Sequence, residues 1–339
     1  MKRYRSNSGE KCSMRVAIIG IGVNGMACAH ELAERHDVTV FHDQEICATT
    51  SATATAIWHV YLVDPDDEQN LAWSCRTLKR LMDLERVTDA GVELCRGIEL
   101  FRKGTPLRPS WADIAQHFRL LTDEEMLAYP GCIWGYEIAA PAANMARYLP
   151  WLHGECVKAG VTFRNEHIAS LSDLLTKFDV VVNCAGLDAS KLVDDPQLFP
   201  VKGQYLALKL ESDGPTKYIG DDQHPEGMAY VIPRDGELLV GGTEEHNISD
   251  VGFTANRDDM IRRASEYCDQ DISRLAQLRT VVGLRPCRES GRVRFGQDPV
   301  APRLIHNYGH GGSGFSLAWG CAEDVAKLVA ETECSPVNH

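Results

Sequence analysis

Residues 15 to 41 read RVAIIGIGVNGMACAHELAERHDVTVF, and within them the hydrophobic period changes twice. The apolar run Arg15–Ile19 ends in glycine and predicts a short buried strand. The stretch from Asn24 to His36 has helical spacing, and Asp37–Phe41 is a second buried strand. Between the first strand and the helix stands GIGVNG, Gly20 to Gly25, in the strand–turn–helix setting that a GxGxxG loop requires. Gly20 permits the tight turn, Gly22 lets a pyrophosphate approach the backbone, and Gly25 lets helix and sheet pack closely. Val23 and Asn24 open the helix, whose free N–H groups and partial positive charge suit phosphates. Asp43 follows Gly25 by 18 residues, at the end of the second strand, where a carboxylate can hold a ribose. These features predict a dinucleotide site without choosing between NAD and FAD.

The remaining chain alternates between two kinds of material. An irregular Thr/Ala-rich stretch (47–62) and the acidic loop DPDDEQ (64–69), read as solvated surface, lead into an amphipathic helix near 68–88 and the strand-like VELCRGIELFRKG (92–104). Helix signals return at 142–158 and are followed by the strand VTFRN. The next helix has capping-box spacing at Ser170 and Asp173. DVVVNCAG (179–186) is a buried strand of parallel-sheet type that ends in a turn at Gly186. Residues 201–243 change to antiparallel signals, a helix covers 256–270, strands run through 278–308, and a last helix occupies about 313–331. Nucleotide-type strands at the start, near 180 and near 305, with antiparallel material between them, predict two interleaved domains.

A second glycine loop lies at the far end. IHNYGHGGSGFSLAWG (305–320) holds five glycines, among them Gly309, Gly311, Gly312 and Gly314, and runs into a helix through Phe315 and Ser316. One dinucleotide's phosphates are already served by the first loop. The need that remains in an FAD protein is the isoalloxazine ring, whose reduced anionic form a helix N-terminus stabilises.

The residues from Ile305 to Leu328 resemble the C-terminal signature of the D-amino acid oxidase family. VNCAGLDA (182–189), PVKGQ (200–204), YVIP (230–233) followed by VGGT (240–243), and GLRP (283–286) match it too. TTSATATAIW (49–58) is a looser match to the segment beside the flavin, with Thr49, Thr50 and Ser51 as its contacts. The matches occur in family order from Val16 to about Ala330. The resemblance implies an α/β protein: a Rossmann-like FAD domain (14–60, 142–195 and 300–332) interleaved with a substrate domain (61–141 and 196–299) on a mixed, largely antiparallel sheet. A disordered tail is expected over 1–13.

On the same resemblance, Arg285 is the α-carboxylate arginine, Tyr230 donates to the same carboxylate, and the Gly312 carbonyl accepts from the substrate amine. A guanidinium is a permanent planar charge that meets a carboxylate bidentately. No catalytic acid or base for the substrate Cα is evident, and the chemistry needs none. With a neutral amine, its lone pair assists hydride loss from Cα to flavin N5, leaving an imine that hydrolyses to a 2-oxo acid and ammonia. Dioxygen then yields hydrogen peroxide. The lid-equivalent GDDQHPEGMAY (220–230) offers only Tyr230 where vertebrate members carry a second tyrosine. His59 stands where some members have glutamine.

Asp221, Asp222 and Glu226 in that lid stretch predict a neutral or basic substrate, with Arg234, read as a surface turn residue, as the main objection. The alternatives are a relative acting on glycine, an N-alkyl amino acid or a biosynthetic intermediate, and a silent flavin-binding module. A net charge of −13 over 339 residues argues against nucleic acid or an anionic membrane as partner. No apolar run reaches the roughly 18 residues of a membrane span, and no secretory signal is read. Twelve cysteines without a CxxC pair or zinc spacing point to a reducing cytoplasm and no metal. A homodimer stays open.

Overall fold

The computed structural model describes residues 13–64, 67–212 and 214–333. The tail expected over 1–13 thus lies, except for Ser13, outside the described residues. Strand β1 (Arg15–Ile19), helix α1 (Val23–Ala33) and strand β2 (Asp37–His42) open the chain. Two short 3-10 turns lead to α2 (Glu68–Leu84), β3 (Val92–Phe101), β4 (Phe118–Leu120), the one-turn α3 (Asp123–Met126) and β5 (Trp134–Ala143). Then come α4 (Met145–Lys158), β6 (Thr162–Asn165), α5 (Leu171–Leu175), β7 (Val180–Asn183) and α6 (Ala189–Leu192). The long β8 (Leu198–Lys209) is followed by β9 (Tyr218–Asp221), β10 (Ala229–Arg234), β11 (Glu237–Gly241) and β12 (Glu245–His246). The chain finishes with α7 (Arg257–Ser265), β13 (Gln277–Arg288), β14 (Arg294–Gln297), β15 (Leu304–Tyr308) and α8 (Gly314–Glu333).

Two sheets result. The first has the order β14-β15-β7-β1-β2-β6, parallel throughout except for the antiparallel edge strand β14. Its central strands are apolar at successive positions because helices cover both faces; Val16, Ala17, Ile18 and Val180–Val182 are all fully buried. Helix α8 packs on α1 and crosses α2 at Gly320, where a Cβ would collide with the Trp73 backbone. The second sheet has nine strands, antiparallel except where β3 runs parallel to β9. In it β8 pairs with β11 and β12 and also with β13, where Gly203 faces Gly283. The mixed α/β architecture matches the expectation.

Three local expectations need correction. Residues 294–297 join the parallel sheet through a hairpin with β15, whereas the sequence places 196–299 in the substrate domain. Residues 142–143 end β5, so the helix starts at Met145, capped by the Asn144 side chain. Asp67 is not simply solvated: it caps α2, accepting from the N–H groups of Gln69 and Asn70, and pairs with Arg292 at 2.9 Å. Of its neighbours, Pro65 and Asp66 lie outside the described residues.

Candidate active site

Both glycine loops open on one cavity of about 700 Å³ that runs between the two sheets. On one side Gly20, Gly22, Val23 and Asn24 present the start of α1; on the other Gly311, Gly312, Gly314 and Phe315 present the start of α8. Gly20 has φ +108°, and a Cβ there would press on the Cys184 carbonyl. Gly311 has φ +56°, and a Cβ would strike the Leu62 carbonyl. Asp43, Thr49, Thr50, Ser51 and Gly186 line the same space. Ser51 Oγ accepts from Val23 N at 3.0 Å, and Asp43 meets His167 Nδ1 at 2.6 Å. His167 was not anticipated from sequence, because nothing in a loop histidine signals which strand end it will face.

Three expected cofactor contacts do not line the cavity. Gly25 is a packing glycine, since a Cβ would collide with the Gly20 carbonyl. Gly309 packs against the Arg288 side chain. The Ser316 hydroxyl is engaged by the backbone of His59, accepting from its N–H at 3.0 Å and donating to its carbonyl at 2.6 Å. Ser313 holds the Tyr61 backbone in the same way, at 2.6 and 2.7 Å. Ser313, just before α8, and Ser316 in its first turn therefore clip the irregular 59–61 segment against the cavity.

Arg285 on β13 reaches over Gly203, where a Cβ would collide with its guanidinium. One nitrogen donates to the Thr243 carbonyl at 3.1 Å, and the guanidinium lies 5.4 Å from the Tyr61 ring centroid. Among the described residues no carboxylate pairs with Arg285, so the fork is available to an anionic ligand. Tyr230, on β10, leans on Gly241 and Gly242 and also faces the cavity. Burial pushes its phenol well above the usual tyrosine range, with Arg285 opposing, so it stays a protonated donor. Gly312 packs on the Tyr61 ring and donates its N–H to the Tyr61 carbonyl at 3.1 Å.

Tyr61 is thus a second aromatic residue at the clamp, supplied from the irregular segment and not from the lid stretch. Its hydroxyl donates to Glu244. His59 lies 3.8 Å from Glu99 and 3.7 Å from Asp222. Burial alone would lower its pKa, but the two carboxylates raise it to about 9, while burial lifts Glu99 to about 7 against the opposing pull of His59. His310, buried within the second glycine loop, is pushed down to about 3 by burial and is neutral.

Of the lid carboxylates, only Asp222 lines the cavity. Asp221 is fully buried and held by Arg102 and Tyr267, both at 2.7 Å, and Glu226 pairs with Arg262. Arg234 is not a surface residue. It is 6% exposed, does not line the cavity, and donates to the carbonyls of Thr55 and Ala143 at 2.8 and 2.6 Å.

A cavity with two helix N-termini and an arginine that no carboxylate pairs among the described residues suits a dinucleotide cofactor beside a small anionic ligand. The cofactor fits: Asn24 Oδ1, on the first turn of α1, is buried with no partner among the described residues, and nothing stands within 4 Å of a Cβ position at Gly186, which lines the cavity. Residues 15–328 match the family model described as "DAO: FAD dependent oxidoreductase", and the chain belongs to that family. It is 37% identical over 93% of its length to a D-amino-acid oxidase of Rubrobacter xylanophilus, covering 95% of that protein. It is 31% identical over 94% of its length to the D-aspartate oxidase of Homo sapiens, again covering 95%. Among solved structures, glycine oxidase from Geobacillus kaustophilus superposes with a TM-score of 0.77 at 21% identity, covering 94% of this chain and 95% of that one. L-proline dehydrogenase from P. horikoshii gives 0.76 at 17%, covering 94% of each. The protein is an FAD-dependent enzyme. Among the described residues no helix is long and apolar enough to cross a membrane, and no cluster has the makings of a metal site.

Proposed function

We propose that the chain oxidatively deaminates D-amino acids with neutral or basic side chains, giving the 2-oxo acid, ammonia and hydrogen peroxide. The observation that carries this reading is Arg285: a guanidinium in the cofactor cavity, flanked by the Tyr61 ring and paired with no carboxylate among the described residues. Bound FAD supplies the two-electron acceptor, which dioxygen restores. Arg285 holds the substrate carboxylate by its fork, and the protonated Tyr230 hydroxyl donates to the same group. The Gly312 carbonyl accepts from the amine. Three anchors on one small molecule leave Cα a single orientation, and this positioning is the protein's share of the rate.

The similarity to D-amino-acid oxidases supports the D configuration. Glu99 and Asp222 in the cavity wall disfavour a carboxylate side chain, against the example of the human relative. We assign the FAD domain to 14–60, the stretch from α4 to 195, and the C-terminal segment from β14 to 332. The ten described cysteines are all unpaired, which supports a reducing, cytoplasmic setting. The test is peroxide formation across D- and L-amino acids, glycine and sarcosine. Turnover of D-alanine or D-methionine without their L-enantiomers is expected, and preference for L-enantiomers, glycine or sarcosine would overturn the reading.

A further inference from the structure

His59, Glu99 and Asp222 converge from three separate parts of the chain onto the wall of the substrate cavity. Glu99 comes from β3, Asp222 directly follows β9, and His59 sits on the segment clipped by Ser316. The imidazole lies 3.8 and 3.7 Å from the two carboxylates, farther than a hydrogen bond, so their oxygens retain capacity for a closer cation. The neighbouring charges are committed elsewhere. Asp221 belongs to Arg102 and Tyr267, Glu244 to Tyr61 and His246, and Arg285 faces the Tyr61 ring. The phenols of Tyr136 and Tyr218 are raised by burial and stay neutral, and the Tyr218 hydroxyl donates to Glu99, leaving the other lone pairs of that carboxylate for a cation. Two carboxylates therefore face one imidazole, and the cluster is short of one cation when all three are ionised.

We propose that Glu99 and Asp222 form a subsite for a cationic substrate side chain, with His59 as the cation that holds the place when the subsite is empty. This rests on the oxidase reading above and narrows it to D-arginine and D-lysine as better substrates than D-alanine. An acidic side chain would bring a third carboxylate to the same wall. An incoming guanidinium competes with the His59 charge, so binding releases that proton. As pH approaches the His59 value of about 9, the competitor is lost and the basic substrate gains. Burial holds the Glu99 carboxyl above the ordinary range against the pull of His59, so its ionisation with rising pH acts in the same direction.

The experiment measures kcat/KM for D-arginine, D-alanine and D-aspartate by peroxide formation with the holoenzyme from pH 7 to 9.5. The ratio of D-arginine to D-alanine is expected to exceed one and to rise with pH, while D-aspartate stays below both. Asp222→Asn should lower the ratio about tenfold. His59→Gln should raise it at pH 7.5 and flatten its rise, which a merely structural histidine would not do. A ratio below one, or one that ignores both pH and Asp222→Asn, overturns the subsite while D-alanine turnover leaves the oxidase reading intact. No turnover of any D-amino acid overturns both.

Discussion

Two side chains carry the substrate assignment, and they differ in what their loss should cost. Tyr230→Phe removes one hydrogen bond to a charged group, so kcat/KM for D-alanine should fall by the equivalent of about 0.5–3 kcal/mol with FAD retained. A steady-state comparison checks this, and an unchanged value would place the hydroxyl away from the carboxylate. That Arg285 and Tyr230 face one cavity accords with the sequence, where each sits in a short motif, GLRP and YVIP, that resembles the oxidase family. Tyr61 and Glu99 were not legible there. Tyr61 lies in an irregular segment without periodicity, and Glu99 is a charged residue in a strand whose inward face sequence alone cannot assign. Arg234 was misread because the Asp235-Gly236 turn after it suggested a surface, whereas the guanidinium turns inward to two backbone carbonyls.

At the scale of elements, Arg234 ties the end of β10 to the end of β5 and to the Thr55 segment, bridging parts of the second sheet to the cavity wall. Arg234→Ala leaves two carbonyls short of a donor and should cost about 2–3 kcal/mol of stability. A denaturant midpoint of the holoenzyme measures it, and a loss below about 0.5 kcal/mol would contradict the bridging role. The β1-α1-β2 unit, β7, β15 and α8 were legible because their periods are local. The order of the second sheet was not. Its one parallel contact, β3 with β9, joins residues more than a hundred positions apart, and β14 joined the other sheet through a hairpin with few apolar residues. Such pairings depend on where the chain returns, which no local pattern encodes.

Across the whole molecule the chain crosses between the sheets repeatedly, and the cavity takes its walls from both. A cofactor held there links the two layers, so FAD should stabilise the fold as a ligand of the native state. Adding FAD to apoprotein at a hundred times its Kd should contribute about 2.7 kcal/mol, read as a rise in the thermal midpoint; an unchanged midpoint would contradict a site spanning both layers. The central claim is that this cavity presents a D-amino acid to FAD through Arg285. Its most direct test is the anaerobic change in flavin absorbance after mixing with D-alanine or L-alanine, in the wild type and in Arg285→Ala. The prediction is bleaching of the wild type by the D-enantiomer alone. Arg285→Ala should keep the flavin spectrum but lose bleaching, since removing one partner of a desolvated charge pair costs about 3–5 kcal/mol. Equal bleaching by L-alanine, or an Arg285→Ala protein that bleaches at the wild-type rate, would contradict the account.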